Sequence, residues 1–218
     1  MEQFLQNKLQ NSQDAFQKWK KIPFEERQKY FTQLSEILND RKQEFGEIIT
    51  KEMNKPISQS VSEIEKCAAL CDYYATAENI LKTEQVETEF QISEIHHEPL
   101  GVILGVMPWN FPFWQAIRFA VPTILAGNVI VLKHASICEK SGETMQEIFE
   151  KAGFPKGIFT FLKVSHTEVE EMIAHPIIRG VSLTGSEAAG RKIAETAGKN
   201  LKKCVLELGG SDAFISAF

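Results

Sequence analysis

Apolar runs and amphipathic runs take turns along the chain from residue 102, and this alternation limits the possible folds more than any other feature. Residues 102–107 form a continuous apolar run, as expected for a strand that is buried on both faces. Further strand-like runs lie at 129–132, 159–162, 180–183 and 204–206, and helix-like runs separate them at 113–125, 139–152, 168–174 and 186–198. Strands that alternate with helices in this way predict βα units, and therefore an α/β fold with a parallel sheet and flanking helices.

The residues before this region follow a helical and then a two-residue periodicity. Helical spacing predicts four helices over 4–19, 24–39, 41–54 and 58–81, with Ser60 or Ser62 as the candidate cap of the fourth. Between Val86 and Ile95 apolar and polar residues alternate, which predicts a partly exposed strand. We therefore divide the chain into N-terminal helices over 1–84, strands over 85–98 and an α/β domain over 99–218.

The last residues of the sequence predict the beginning of one more strand. Residues 213–215 are Ala, Phe and Ile, and they follow two glycines by only a short interval. A parallel sheet rarely closes a domain on an uncovered half-strand, so we expect a truncated chain. A short edge strand that legitimately ends the domain is the alternative.

Charge and cysteine content exclude several classes of function. The net charge of −5 argues against a nucleic-acid partner, because nucleic-acid binders are usually basic. Lysines and arginines are spread along the chain, and no apolar run near the N-terminus reaches the roughly 20 residues of a membrane-spanning helix. The four cysteines lack the spacing of a disulfide framework, and residues 1–20 lack the pattern of a signal peptide. We predict a cytoplasmic protein with reduced thiols and no membrane partner.

An asparagine between two prolines is the first candidate for chemistry. Asn110 follows the run 102–107 and lies between Pro108 and Pro112 in the segment Pro-Trp-Asn-Phe-Pro. Because proline fixes the backbone, this segment suits a side-chain amide that must donate to an oxyanion without reorganising. A structural asparagine in a proline-bounded turn is the alternative.

A glutamate at the end of the last predicted strand is the second candidate. Glu207 follows the run 204–206 and precedes Leu208, Gly209 and Gly210. Burial at a strand end desolvates a carboxylate, which moves it towards general-base function near neutral pH. The alternative is a structural glutamate that accepts hydrogen bonds from backbone N–H groups.

Two further candidates lie at strand ends and suit a phosphate-bearing ligand. Gly185 leaves the backbone free to turn, and Ser186 can cap the next helix, whose first N–H groups attract anions. The stretch lacks the G-x-G-x-x-G fingerprint, so a capped helix with Gly190 packed against the sheet is the alternative. Lys133 follows the run 129–132 at the sheet edge where α/β proteins bind ligands, and a solvated surface charge is its alternative.

These motifs, in this order, resemble those of the aldehyde dehydrogenase superfamily. The resemblance extends over almost the whole chain, from the N-terminal helices to about residue 215. The stretches around Arg118, Lys133 and Glu207 are most similar to bacterial succinate-semialdehyde dehydrogenases. The resemblance implies a Rossmann-like cofactor-binding domain that includes the N-terminal helices, with part of a β oligomerisation arm within 85–98 and without the catalytic domain. It also implies a small-molecule aldehyde substrate and, for intact members, a homo-oligomer.

The resemblance assigns roles to individual residues. Asn110 would stabilise the oxyanion, and Glu207 would activate the water that hydrolyses a thioester intermediate. Cofactor contacts would come from Pro108, Trp109, Lys133, Ser136, Gly185, Ser186, Gly190, Leu208 and Gly209. Phe111 and Arg118 would contact the substrate, and the Arg118 guanidinium would bind a carboxylate of the substrate.

The identity of residue 136 bears on the cofactor. NAD-preferring members of the family carry a glutamate where this chain has Ser136. A serine does not repel the 2′-phosphate of NADP, so the resemblance implies NAD or NADP, with a lean towards NADP.

None of the four cysteines matches the nucleophilic cysteine of the family, which follows the glutamate motif after a longer stretch than this chain contains. Cys67 and Cys71, four residues apart in a predicted helix, and Cys204, in a predicted strand, are expected to be packing residues. Cys138 lies near a predicted helix start, where a thiolate can be stabilised.

The predicted function is NAD(P)-dependent oxidation of an aldehyde to a carboxylic acid, with succinate semialdehyde as the substrate. We expect this chain to be the cofactor-binding half and to be inactive alone, with the other half lost or carried on another chain. Two alternatives stay open: a non-catalytic nucleotide-binding or interaction module, and a gene remnant without function.

Overall fold

Four helices form the N-terminal part of the chain. The computed structural model describes residues 2–211 and 213–216. The helices are α1 (Gln3–Trp19), α2 (Phe24–Asp40), α3 (Lys42–Met53) and α4 (Ile57–Thr76). Their positions agree with the sequence prediction, except that α4 ends at Thr76 rather than at 81.

The predicted caps of α4 are wrong. Pro56 is the N-cap residue, and it supplies no side-chain hydrogen bond to the start of the helix. Ser60 lies one turn inside the helix, where its buried hydroxyl donates to the Pro56 carbonyl at 3.3 Å. Ser62 also lies within the helix.

The segment between the helices and the main sheet is a hairpin rather than a single strand. Two short strands, β1 (Glu84–Gln85) and β2 (Glu94–Ile95), pair antiparallel. The apolar side chains of Val86, Phe90 and Ile92 are exposed, so nothing within residues 2–211 and 213–216 buries the apolar face that the alternation predicted. The domain boundaries proposed at 84 and 98 stay predictions.

The α/β part has the predicted parallel sheet. Within residues 2–211 and 213–216 its strands are β3 (Val102–Met107), β4 (Val129–His134), β5 (Phe159–Phe161), β6 (Ile178–Gly185) and β7 (Lys203–Leu208), in the order β5-β4-β3-β6-β7. The intervening helices are α5 (Pro112–Leu125), α6 (Glu139–Lys151), α7 (His166–Ala174) and α8 (Glu187–Lys199), with a short 3₁₀ helix at Ser136–Cys138. Every strand pair in this sheet is parallel, which confirms the α/β prediction.

The strand order reverses at β3, and this reversal places the candidate site. From β3 the chain proceeds outward through β4 and β5, and then returns to the other side of β3 through β6 and β7. Connections from β3 and β6 therefore leave the sheet in opposite directions and open a crevice at the carboxyl ends of these two strands. Open α/β sheets bind ligands in such a crevice.

The strand β7 is largely exposed, and Cys204, which was predicted to be a packing residue, packs only against the margin of the core. Val205 and Leu206 are exposed and Cys204 is only half-buried, because β7 is the edge strand of the sheet. The strand predicted over 213–215 is wrong: residues 213–216 contain no strand, and Phe214 and Ile215 are exposed.

Buried polar side chains attach the N-terminal helices to the α/β part. The Trp19 indole nitrogen donates to the Ile124 carbonyl at 2.8 Å, and Arg27 Nε donates to the Leu125 carbonyl at 2.8 Å. Both acceptors lie at the carboxyl end of α5, where carbonyl groups have no partner within the helix. The helices and the sheet therefore share one core. No helix within the described residues is long and apolar enough to span a membrane.

His134 joins the end of β4 to the beginning of α5. Its Nε2 donates to the Pro112 carbonyl at 2.9 Å, and its Nδ1 accepts the Ala135 N–H at 2.8 Å, so both ring nitrogens are used by the neutral tautomer. Burial is the main cause that lowers the pKa of His134 to about 4, and the charge of Lys133 lowers this pKa further.

Replacing His134 with Gln should reduce the acid sensitivity of the fold. The folded chain has a His134 pKa of about 4, against an ordinary value of 6.5. The unfolded chain therefore binds more protons between these values. As the pH is lowered from 6.5 to about 4, the free energy of unfolding decreases by on the order of 3 kcal/mol. Urea unfolding near neutral pH and just above the folded pKa should show a smaller loss for H134Q than for the wild type.

The exposed His166 at the start of α7 supplies the matched control. We expect H166Q to lose as much stability as the wild type over the same pH range. Equal losses in H134Q and in the wild type would contradict the role given to His134.

Candidate active site

The crevice at the strand reversal holds most of the predicted site residues around one cavity. The cavity has a volume of about 470 Å³. It is lined by Pro108, Trp109, Asn110, Gln115, Thr184, Gly185, Ser186, Glu207, Leu208 and Gly209. Asn110 follows β3, Ser186 follows β6 and Glu207 lies on β7, so three separate stretches of sequence meet here because their strands are parallel neighbours.

The oxyanion candidate Asn110 is exposed to this cavity on a short turn between β3 and α5. The turn is only four residues long, because β3 ends at Met107 and α5 begins at Pro112. The Asn110 carbonyl accepts a hydrogen bond from Lys55 Nζ at 3.3 Å. A short turn with a bonded backbone limits the directions in which the amide can point.

Carboxylates accept backbone hydrogen bonds at the starts of three of the four helices, α5 to α8, that follow strands of the sheet. Glu63, Glu52 and Glu168 each accept backbone N–H groups at the starts of α5, α6 and α7 respectively. The cap of α8 is neutral: the Ser186 hydroxyl accepts the Ala189 N–H at 3.3 Å. Since a carboxylate would repel a phosphate, α8 is the helix whose start best suits an anionic ligand.

The backbone at the start of α8 leaves two donors for such a ligand. The N–H groups of Ala189 and Gly190 bond to the side chain and the carbonyl of Ser186. The N–H groups of Glu187 and Ala188 precede them and have no acceptor inside the helix. The Glu187 carboxylate turns away to Arg191, at 3.0 Å. The prediction that Ser186 caps this helix is confirmed.

The structure distinguishes the two glycines of this motif, and Gly190 packs against the sheet as the alternative interpretation predicted. Gly185 does not adopt a left-handed conformation, and a Cβ there would meet only Leu183, at an ordinary 3.7 Å. The freedom that a glycine gives to the backbone is therefore not needed for the turn at Gly185. A Cβ on Gly190 would lie 2.7 Å from the Leu208 side chain, so Gly190 permits the close approach of α8 to β7.

Glu207 is exposed rather than buried, which corrects the expected environment of the general base. Its side chain is 45% accessible, because β7 is an edge strand, and its carboxylate forms an ion pair with Arg118. The Thr184 hydroxyl lies 3.4 Å from the same carboxylate oxygen, and Gln115 accepts from Arg118 at 2.9 Å. An exposed ion pair replaces the desolvation on which the sequence argument relied.

Arg118 and Glu207 also line a second, more apolar cavity of about 350 Å³. Its other walls include Ile103, Met107, Phe119, Pro122 and Val205. Glu207 thus lies between the cavity that contains Asn110 and the cavity that contains Arg118. Arg118 Nε is buried and has no hydrogen-bond partner among the described residues.

Phe111 does not line the cavity of Arg118. Its ring lies under Lys55 Nζ, at 3.7 Å from the ring centroid, and borders a third cavity of about 380 Å³ with Trp114 and Lys66. The two predicted substrate residues are therefore directed to different cavities.

The two residues predicted to contact the adenosine end of a nucleotide lie at the carboxyl end of β4 and just after it. Lys133 is within β4 rather than after it and is buried, and burial lowers the pKa of its ammonium group. Ser136 is exposed at the first position of the 3₁₀ helix. Both lie on the β4 side of the cavity that contains Asn110, and neither lines it.

Burial raises the pKa of all four cysteine thiols. Cys67 and Cys71 are buried packing residues of α4, and burial raises the pKa of both thiols. Cys138 is buried as well, and burial raises the pKa of its thiol to about 12, so the predicted stabilisation of its thiolate is wrong. Burial also raises the pKa of the half-buried Cys204 thiol. No group of three or more His, Cys, Asp or Glu side chains among the described residues could hold a metal ion.

Three functional neighbours of the site were missed by sequence reasoning: Lys55, Glu63 and Glu52. The first two contact the Asn110 turn and the start of α5, and the third covers the start of α6. Their partners lie between 50 and 88 residues away in sequence, so no local pattern connects them. For Glu63 the one available signal was a charged residue on the apolar side of the helix α4.

Comparison with known proteins identifies the family. The sequence profile of the aldehyde dehydrogenase family matches residues 3–217. A probable succinate-semialdehyde dehydrogenase [NADP(+)] of Synechocystis is 46% identical over 209 residues, which are 95% of this chain and 46% of that protein. A succinate semialdehyde dehydrogenase [NAD(P)+] of Escherichia coli is 42% identical over 97% of this chain and 46% of that protein.

A solved structure agrees with these relatives. The succinic semialdehyde dehydrogenase of Streptococcus pyogenes, crystallised with NADP+ as the cofactor, superposes with a TM-score of 0.95 at 41% identity, covering 98% of this chain and 48% of that chain. The chain spans about half the length of the relatives it matches. On the sequence match, the fold and the arrangement of the cavity, the chain belongs to the aldehyde dehydrogenase family.

Proposed function

We propose that this chain is the NADP-binding part of a succinate-semialdehyde dehydrogenase. The observation that carries the proposal is the single cavity in which Asn110, Glu207 and the neutral start of α8 meet. An amide donor, a carboxylate and a phosphate site are the groups that oxidation of an aldehyde with a nicotinamide cofactor requires from this part of the protein. The similarity to NADP+-dependent relatives supports the choice of cofactor.

The residues around the cavity suit the cofactor. The N–H groups at the start of α8 would hold the diphosphate, and the Lys133 ammonium and Ser136 hydroxyl would face the adenosine ribose and its 2′-phosphate. Gly209 follows β7 at the cavity wall and leaves room for the nicotinamide end. When bound, the cofactor accepts a hydride from the carbon of the substrate.

Asn110 would donate a hydrogen bond to the substrate oxygen as negative charge develops on it. Preorganised donors of this kind contribute about 3 kcal/mol to the stabilisation of the transition state in other enzymes. Glu207 would take a proton from the water that releases the acid product. Because Arg118 binds the Glu207 carboxylate here, this step requires the ion pair to open.

Arg118 supports a substrate that carries its own carboxylate. Its guanidinium already binds one carboxylate, and its buried Nε has no partner among the described residues. A second acceptor would satisfy this donor, since buried polar groups are normally hydrogen-bonded. Succinate semialdehyde brings both the aldehyde and the carboxylate.

The nucleophile of the reaction is proposed to come from outside these 218 residues. All four cysteines have thiols with raised pKa values, and Cys204 lies three residues, about 10 Å, before Glu207 on β7. A thiolate attacks an aldehyde carbon far better than a thiol does. A further segment or chain with a suitably placed cysteine is therefore needed for turnover.

Ser136 variants test the cofactor assignment. Isothermal titration of the chain with NADP+ and with NAD+ should show saturable binding and a preference for NADP+. We expect S136E to weaken NADP+ binding by more than about tenfold, because a carboxylate repels the 2′-phosphate, and to change NAD+ binding little. S136Q, which has the same shape without the charge, should bind NADP+ nearly as the wild type does.

Absence of saturable NADP+ and NAD+ binding by folded wild-type chain would contradict the proposed cofactor site. Equal effects of S136E and S136Q would show that Ser136 acts through its size and not through charge.

The chain alone should not oxidise succinate semialdehyde. With NADP+ and the aldehyde present, we expect no increase in NADPH absorbance, because the pKa of each of the four cysteine thiols is raised and a thiol attacks an aldehyde poorly. A full-length relative assayed in parallel serves as the positive control. NADPH formation that disappears in a Cys204→Ser variant would overturn this expectation and identify Cys204 as the nucleophile.

A further inference from the structure

A buried ion pair lies directly behind the turn that carries Asn110. Lys55 Nζ and Glu63 Oε2 are 2.5 Å apart, and their side chains are only 8% and 1% accessible. Lys55 lies between α3 and α4, and Glu63 lies in the second turn of α4. Placing two charges in the interior is costly, and an apolar pair would often serve stability as well. The contacts that these two charges make therefore indicate what they contribute.

The second carboxylate oxygen of Glu63 accepts hydrogen bonds from the start of α5. Glu63 Oε1 accepts the N–H groups of Phe113 and Trp114, both at 2.9 Å. These are among the first N–H groups of the helix, which lack acceptors within it. The carboxylate thus fixes both the position of α5 and the point at which the Asn110 turn ends.

Lys55 contacts the turn itself. Its Nζ donates to the Asn110 carbonyl at 3.3 Å and lies 3.7 Å from the centroid of the Phe111 ring. A cation over an aromatic face is attracted to it, and more strongly when both are partly desolvated. One ammonium group therefore binds the backbone of Asn110, the ring of its neighbour and the carboxylate of Glu63.

Taken together, the pair contacts the chain at 110, 111, 113 and 114, and His134 bonds to the carbonyl of Pro112 between them. We propose that the Lys55–Glu63 pair is a positioning element that sets the direction of the Asn110 side chain. The inference rests on the proposed function, in which the Asn110 amide is the oxyanion donor. Such a donor is effective only when its direction is fixed before the reaction.

Nuclear magnetic resonance of the Asn110 side-chain amide tests this proposal on the 218-residue chain. The resonance is assigned in ¹⁵N-labelled protein by its loss in N110A. The test variants are E63Q, which removes one charge, and K55M/E63Q, which removes both and avoids an unpaired buried charge if E63Q folds poorly. Circular dichroism establishes that each variant is folded at the temperature of measurement.

The chain contains a matched control on the same two helices. Lys42 on α3 and Glu65 on α4 form an ion pair at 2.6 Å, but both side chains are nearly half exposed and neither contacts the Asn110 turn. E65Q therefore repeats the chemical change of E63Q without touching the turn. We expect E65Q to leave the Asn110 amide resonance and NADP+ binding unchanged.

For folded E63Q and K55M/E63Q we expect a shifted Asn110 amide resonance and NADP+ binding weakened by about fivefold, corresponding to roughly 1 kcal/mol of lost contact energy. An Asn110 resonance in both folded variants that matches E65Q would overturn the proposal, even if their stability is lower. Failure of the wild-type chain to bind NADP+, with a shifted resonance in the variants, would refute the proposed function and leave the positioning role intact.

Discussion

The site depends on the reversal of strand order at β3. Successive strands are added on one side of β3 and then on the other, so the connections after β3 and β6 diverge and leave a crevice. The turn with Asn110 and the start of α8 form its two sides, and β7 brings Glu207 to the same edge. Ligands of open α/β sheets bind at the point where the strand order reverses, and here these three groups share one cavity at that point.

The distribution of buried and helix-capping charge then decides which part of the crevice accepts an anion. Carboxylates from the N-terminal helices occupy the starts of α5 and α6, whereas a serine caps α8. The helical part is therefore more than a cover for the sheet, because Glu52 and Glu63 satisfy helix ends that a phosphate could otherwise approach. Lys55, which pairs with Glu63, also donates a hydrogen bond to the Asn110 carbonyl and so connects these charges to the turn.

Within the described residues Glu207 lies on the edge strand β7 and meets Arg118. Its position at the cavity agrees with the role implied by the family, but its environment does not agree with desolvation by burial. Arg118 binds it instead, and the same guanidinium is the group that would meet the carboxylate of the substrate. The proposed substrate contact and the proposed base are thus coupled through one side chain.

The sequence by itself determined the α/β class, the approximate positions of most helices and of the five strands of the parallel sheet, and the motifs at the carboxyl ends of these strands. These features are local: apolar periodicity, proline, glycine and capping residues act over a few positions. Tertiary structure alone decided that Cys204 and Glu207 are on an exposed edge and that Cys138 is buried. It also decided that Lys55 and Glu63 hold the Asn110 turn. Burial and ion pairing depend on contacts between residues far apart in the chain, and a linear pattern does not record those contacts.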